Sequence, residues 1–244
     1  MKKIYYITAV FATLFLVGCG DGIDLPGVNV ETDLNKIPLP DNNVNLEQVE
    51  LKPSTEPMLH EGLHTEEDFQ RIRDKKAAGE EPWVSAYQLL VESQFSQKTA
   101  DTYPTEWIKR GISGDENYMN AARGATIVYQ QALRWKIEQD DEYAAKAVEN
   151  LNKWVQTCVG VTGNTNLSLA AGLYGYEFAI AGELLRDYGG WDRADFAAFQ
   201  NWLLKVFYPA NDDFLKRHHD TNALHYWANW CLCNIAAKMA IGIV

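Results

Sequence analysis

The chain has 244 residues, of which 47% are hydrophobic, 12% aromatic and 23% charged, and its formal charge is −11. This globular composition excludes wholesale disorder, a collagen-like repeat and a small disulfide scaffold. The acidic balance excludes a broad basic face, so nucleic acid is not an expected partner.

The N-terminus reads as a sorting signal. Lys2 and Lys3 precede an apolar stretch, Ile4 to Val17, that is too short and wrongly flanked for a membrane span. It ends in Leu16-Val17-Gly18-Cys19, which resembles the lipobox of bacterial lipoproteins. Residues 1–18 are then a signal peptide, and Cys19 is the lipid-bearing mature N-terminus. The lipid would tether the protein to a membrane of the cell envelope, in the periplasm or at the cell surface. Residues 19–58, punctuated by Pro26, Pro38, Pro40, Pro53 and Pro57, read as a flexible acidic tether. The acidity concentrates there. Residues 20–68 hold 12 Asp/Glu against 2 Lys/Arg, whereas residues 69–244 hold 21 against 18. A folded domain is expected over 59–244.

From His60 onward the pattern is helical. Thr65-Glu66-Glu67-Asp68 is a capping start, followed at helical spacing by Phe69, Ile72 and Lys76, and Gly79 ends that helix. Pro82 suits a first turn, and Trp83, Ala86, Leu89, Leu90 and Phe95 form the next apolar stripe. Residues 99–115 read as a loop. A long helix is expected over 116–139, and Asp140-Asp141 restarts the chain into a helix over 142–158. After Gly160 and Gly163 comes a helix over 168–187, whose Gly172, Gly175 and Gly182 would allow close packing, stopped by Gly189-Gly190. A helix over 192–207 ends before Pro209. A polar loop then leads to a last apolar helix over 223–243. No convincing strand pair is visible. The whole is an all-α fold of antiparallel helical hairpins, a bundle or solenoid.

Cys158, Cys231 and Cys233 leave an odd thiol in an exported protein. On a helix Cys231 and Cys233 point about 200° apart, which disfavours a disulfide between them. The apolar ending Ala236 to Val244 lacks a polar capping element, so the chain reads as the N-terminal portion of a longer fold.

The densest polar cluster is Lys216-Arg217-His218-His219-Asp220-Thr221-Asn222, followed by His225 and Asn229. On a helix from 223, Asn222, His225 and Asn229 share one face, flanked by Trp227 and Trp230. Indole faces stack on sugar rings, and amide, imidazole and guanidinium donors hold carboxylates. Asn222, His219, Arg217, Trp227 and Trp230 are therefore candidate substrate-binding residues for a sugar acid. Plainer readings stand beside this one: Thr221 or Asn222 as helix cap, His218 and His219 as solvated loop residues, His225, Trp227 and Trp230 as packing residues. Asn229 is read as a buried mid-helix amide that must find partners. His218, His219, Asp220 and His225 also include metal-capable groups. No H-E-x-x-H, C-x-x-C or EF-hand pattern accompanies them, and no cofactor is expected. G-x-S-x-G, G-x-G-x-x-G and P-loop patterns are absent. Asp212-Asp213 and Glu177/Glu183 are the carboxylates available for glycoside hydrolysis.

Several segments resemble alginate-lyase-like polysaccharide lyases of Bacteroidota. They are His60-Glu61-Gly62-Leu63-His64-Thr65-Glu66-Glu67-Asp68-Phe69 with Gly79-Glu80-Glu81-Pro82-Trp83, and Tyr129-Gln130-Gln131-Ala132-Leu133-Arg134-Trp135. Further on are Gly172-Leu173-Tyr174-Gly175-Tyr176-Glu177-Phe178-Ala179, running to Glu183-Leu184-Leu185-Arg186-Asp187-Tyr188, and Tyr226-Trp227-Ala228-Asn229-Trp230 with Asn234. The resemblance implies an (α/α) toroid and β-elimination on an anionic uronate polysaccharide. It makes Asn229 the neutraliser of the substrate carboxylate and His225 its support or the base. Two departures stand out. The Asn-His pair common before Tyr-Trp in classical alginate lyases reads Ala223-Leu224 here, and the family's catalytic Tyr and a further His would be expected beyond Val244. The alternatives are a non-catalytic glycan-binding lipoprotein and an α/α-toroid glycoside hydrolase.

Overall fold

Thr65 starts the first helix by the chemistry the sequence provides. Its Oγ1 accepts the Asp68 N–H at 3.2 Å, and the Asp68 carboxylate accepts the Thr65 N–H at 3.0 Å. This reciprocal cap opens α1 (Glu66–Ala77), which buries Phe69. A computed structural model describes residues 62–221, 225–226 and 228–244. Cys19 and the proposed tether, together with Asn222 and Trp227, lie outside these residues.

The second helix, α2 (Trp83–Glu92), buries none of its residues, and Leu89 is 71% exposed. The apolar stripe expected there is therefore only partly core: Leu90 packs against the core, whereas Leu89 is exposed. Then α3 (Tyr118–Glu138) and α4 (Asp141–Thr157) form the predicted hairpin. Gln139 turns left-handed at φ 57°, and the Asp140 side chain caps α4 by accepting the Glu142 N–H at 3.0 Å. So short a link makes the two helices antiparallel neighbours. Ala121, Ala125, Val128 and Ala132 on α3 face Ala144, Ala147, Leu151 and Trp154 on α4 inside one core.

A buried amide network fastens the segment before α3 to this hairpin. The Asn150 amide donates to Gln131 Oε1 and to the Ala100 carbonyl, both at 3.1 Å, while Gln131 donates to the Gln97 carbonyl at 2.9 Å. Trp154 Nε1 donates to Thr102 Oγ1 at 2.5 Å. Every buried amide here has a partner, as burial requires.

The expected loop over 99–115 contains a strand. β1 (Trp107–Arg110) pairs in parallel with β2 (Gly160–Gly163), in the register Trp107 to Gly160 and Arg110 to Gly163. Gly163 has φ +145°, and a Cβ there would lie 1.7 Å from the Arg110 carbonyl oxygen, so only glycine fits.

From this ribbon the chain enters α5 (Asn166–Leu185), which packs on α3 and, most extensively, on the last helix. The predicted small residues allow that approach: a Cβ on Gly172 would come within 2.6 Å of Cys233 Sγ. After α6 (Arg193–Val206) the polar loop expected beyond Pro209 is instead α7 (Tyr208–Arg217), with Pro209 in its first turn. Proline is tolerated there because the first N–H groups of a helix have no intrahelical acceptor. The last helix, α8 (Asn229–Ile243), starts six residues later than the sequence reading placed it. Phe178 anchors the aromatic core, with ring centroids 5.4 Å from Trp154 and 5.2 Å from Trp202. The described residues thus form an all-α fold, with one short ribbon among them. Among the described residues no helix is long and apolar enough to cross a membrane.

The late start of α8 moves Asn229. It is the first residue of the helix and exposed, so it is not the buried mid-helix amide that the sequence suggested. That role belongs to Asn234, which is fully buried, lies 2.7 Å from the Asn211 amide and donates to the Trp230 carbonyl at 2.8 Å. Asn234→Ala strands the Asn211 amide and is expected to cost about 1–3 kcal/mol in urea unfolding. An unchanged midpoint would show that water replaces the pair.

Candidate functional site

The site is built where α7 ends. His218, His219 and Asp220 occupy three successive left-handed conformations, with φ of 47°, 55° and 60°. Each non-glycine residue held there costs about 1–2 kcal/mol, a price that persists only where surrounding contacts over-determine it. Those contacts are visible. The Thr221 hydroxyl donates to the His218 carbonyl at 2.7 Å, and both histidine rings pack on buried Phe214, at centroid distances of 5.3 and 5.1 Å.

The reversal of the chain turns the imidazoles into an aromatic cluster. His219 lies edge-on to Tyr226 at 5.5 Å and to Trp230 at 6.0 Å, and Tyr226 and Trp230 are 5.0 Å apart. His219 Nε2 is 3.4 Å from Ser168 Oγ, in the first turn of α5. His218 Nε2 is 3.4 Å from Cys231 Sγ on α8. Burial, then the neighbouring His219, lowers the His218 pKa and favours the neutral imidazole. His225 is exposed and perpendicular to Tyr226 at 4.7 Å.

The candidate residues named from sequence therefore gather unevenly. His219, His225 and Trp230 meet around Tyr226. Asn229 adjoins them, its Oδ1 accepting the Trp230 N–H at 3.1 Å. Because α8 begins at Asn229, His225 precedes the helix and does not share a helical face with Asn229. Arg217 points into ion pairs instead: its Nε donates to Asp213 at 2.7 Å and its Nη1 to Asp220 at 2.9 Å, on the exposed side of α7. Sequence reasoning missed Ser168, Phe214 and Tyr226. Of these only Tyr226, next to His225, carried a local signal.

The competing chemistries find less support. The metal-capable residues do not converge, since His218 faces Cys231, His219 faces Ser168 and Arg217 holds Asp220. Among the described residues no group of three or more His, Cys, Asp or Glu side chains is arranged to hold a metal ion. Asp212 is paired with Lys216 and Lys238, and Asp213 with Arg217. Asp212 and Asp213 so neutralised are poor general acids and bases, whereas burial lifts the Glu177 carboxyl on α5 to about 7. What remains is a set of imidazoles, a phenol, an indole and a carboxamide at the end of a rigid helix pair. That set can hydrogen-bond a sugar carboxylate, move a proton and stack on a pyranose face.

A family model described as alginate lyase matches residues 72–243. No curated protein and no solved structure matches the chain.

Proposed function

The chain belongs to the alginate lyase family of polysaccharide lyases, and from that premise we propose that it cleaves a uronate polysaccharide by β-elimination on an (α/α) toroid. The reaction removes the proton at C5, forms the C4=C5 double bond and expels the O4 of the neighbouring sugar, which takes up a proton. Asn229 donates its carboxamide N–H groups to the uronate carboxylate and stabilises the charge that develops when C5 is deprotonated. His225, exposed beside Tyr226, takes the C5 proton, and the phenol of Tyr226, whose ring packs against His219, His225 and Trp230, protonates O4. Trp230 and His219 form the wall against which the sugar ring lies.

The observation that carries this reading is the strained turn at His218–Asp220, which sets His219 against Ser168, Tyr226 and Trp230 beside Asn229. The test is product analysis on polymannuronate and polyguluronate. The expected result is ultraviolet absorbance of an unsaturated uronate rising in step with new reducing ends. New reducing ends without that absorbance would make the protein a glycoside hydrolase. Polymer retention without cleavage would make it a glycan-binding protein.

A further inference from the structure

A groove of about 300 Å3 opens beside the first half of α3 and shares no residue with the His219 cluster. Its walls are the segment over 94–103 and the helix surface from Asn120 to Ile127. The volume is at the lower end for a small-molecule site. Gln94, Thr99, Asn120 and Arg123 line it, and among the described residues none of their side chains is committed to a hydrogen bond or an ion pair. Gln94, Thr99 and Arg123 are exposed and Asn120 is half-buried, so their polar atoms are open to a ligand. Asp101, the one carboxylate among the lining residues, is held by Lys153 at 2.6 Å. Lys146 and Glu149 complete that network, two acids against two lysines. The polar wall is therefore mainly amide and hydroxyl, with Arg123 its one unpaired charge.

Tyr103 stands at the groove with 74% of its surface in water, so its ring contributes little to the core. Its mount is nevertheless rigid. The preceding residue, Thr102, is buried, donates its N–H to Asn150 Oδ1 at 3.3 Å and accepts Trp154 Nε1 on its hydroxyl at 2.5 Å. The following residue, Pro104, restricts Tyr103 to an extended backbone. Gly124 forms part of the floor, where a Cβ would lie 2.7 Å from Thr102 Oγ1. A fixed, exposed ring beside free amides offers both surfaces a sugar presents: an apolar ring face to stack on, and hydroxyls that donate and accept.

We propose that this groove is a second glycan-binding site, separate from the candidate catalytic cluster, which takes a pyranose ring through its apolar face and hydroxyls and does not require the sugar to be charged. Tyr103 is the platform. Gln94, Thr99 and Asn120 pair with hydroxyls, and Arg123 donates to sugar oxygens at the rim. The groove and the cluster share one end of the described fold. Asn117, just before α3, accepts the Lys109 N–H at 2.7 Å and so ties the start of α3 to β1. β1 pairs with β2, which ends at Gly163, and α5 begins at Asn166 with Ser168 in its first turn. A polymer held in the groove is concentrated near the cluster. That consequence rests on the polysaccharide lyase reading, whereas the binding itself does not.

The experiment runs the wild-type chain, Tyr103→Ala, Tyr103→Phe and Asn120→Ala through affinity gels of polymannuronate and of its carboxyl-reduced, neutral form. Unsaturated product from polymannuronate is measured alongside. The neutral polymer is expected to retard the wild type. Tyr103→Ala should weaken that binding about 10-fold and Asn120→Ala about 5-fold, as for one aromatic platform and one neutral hydrogen-bonding partner. Tyr103→Phe keeps the ring and should stay within about twofold of wild type. On polymannuronate, Tyr103→Ala should raise KM and leave kcat unchanged, because the ring lies outside the catalytic cluster. If no protein forms unsaturated product but Tyr103→Ala still loses retention, the lyase reading fails and the groove assignment stands. Absence of retardation of the wild type by the neutral polymer overturns the assignment. Unchanged retention of Tyr103→Ala and Asn120→Ala, or a loss confined to the acidic gel, overturns it as well. Circular dichroism of the variants confirms that the helices remain.

Discussion

Asn229→Ala is expected to lower kcat by about 10²–10³, the range for removing one preorganised donor from a developing anion. The loss should fall on kcat more than on KM, because the carboxylate carries more charge density once C5 is deprotonated than in the bound polymer. The fold should tolerate the change. Asn229 is exposed at the first position of α8, and its side chain bonds locally, accepting the Trp230 N–H. Asn229→Asp should be at least as damaging, since it places a like charge against the uronate. His225→Ala should lower kcat as well, because no other group is assigned to take the C5 proton. Asn229→Ala with wild-type kcat and intact helices would remove Asn229 from the mechanism.

A second large effect concerns Glu177, on α5 within one of the segments shared with alginate-lyase-like proteins. Burial raises its pKa from 4.5 to about 7, offset in part by a hydrogen bond from Thr126 on α3. The groups that sense it are phenols, Tyr129 on α3 and Tyr174 and Tyr176 on α5, and none supplies a positive charge. The sign of the linkage follows. Below pH 4.5 the carboxyl is protonated in both folded and unfolded chains and costs nothing. Between 4.5 and 7 the unfolded chain loses the proton while the folded chain keeps it, so stability falls as pH rises. Above 7 the full cost is present, about 3 kcal/mol from the size of the shift. Glu177→Gln keeps the shape and can accept the same hydrogen bond. It is expected to match wild type at pH 4 and to be more stable by about 3 kcal/mol at pH 8 in urea unfolding. A variant no more stable than wild type at pH 8 would show that the carboxyl is solvated.

The segments that carried the family resemblance turn out to meet. His64 Nε2 lies 2.6 Å from the Tyr129 hydroxyl, which joins the first segment to the second. Gln131 of that second segment anchors the amide network beneath the loop over 97–102. A Cβ on Gly62 would lie 2.7 Å from the Glu183 carboxyl carbon, which brings the first segment to the third. The motifs were legible one by one. Their meeting was not, because they lie 65 residues apart in the case of His64 and Tyr129.

The sequence by itself determined what local chemistry controls. The Thr65–Asp68 cap, the α3–α4 hairpin at Asp140 and the small residues of α5 are set by groups a few residues apart. Tertiary structure alone decided the rest. The ribbon has four residues per strand and joins positions more than fifty apart, so no periodicity announces it. Pro209 looks like a breaker until its neighbours show that it opens a helix. Asn229 and Asn234 stand in the same apolar run, and only the start of α8 and the packing of Asn211 show which amide is buried and which is open to a substrate. The clustering of Ser168, His219 and Trp230 arises from helices and a turn closing on one another. Burial belongs to that closure, and no single stretch of chain encodes it.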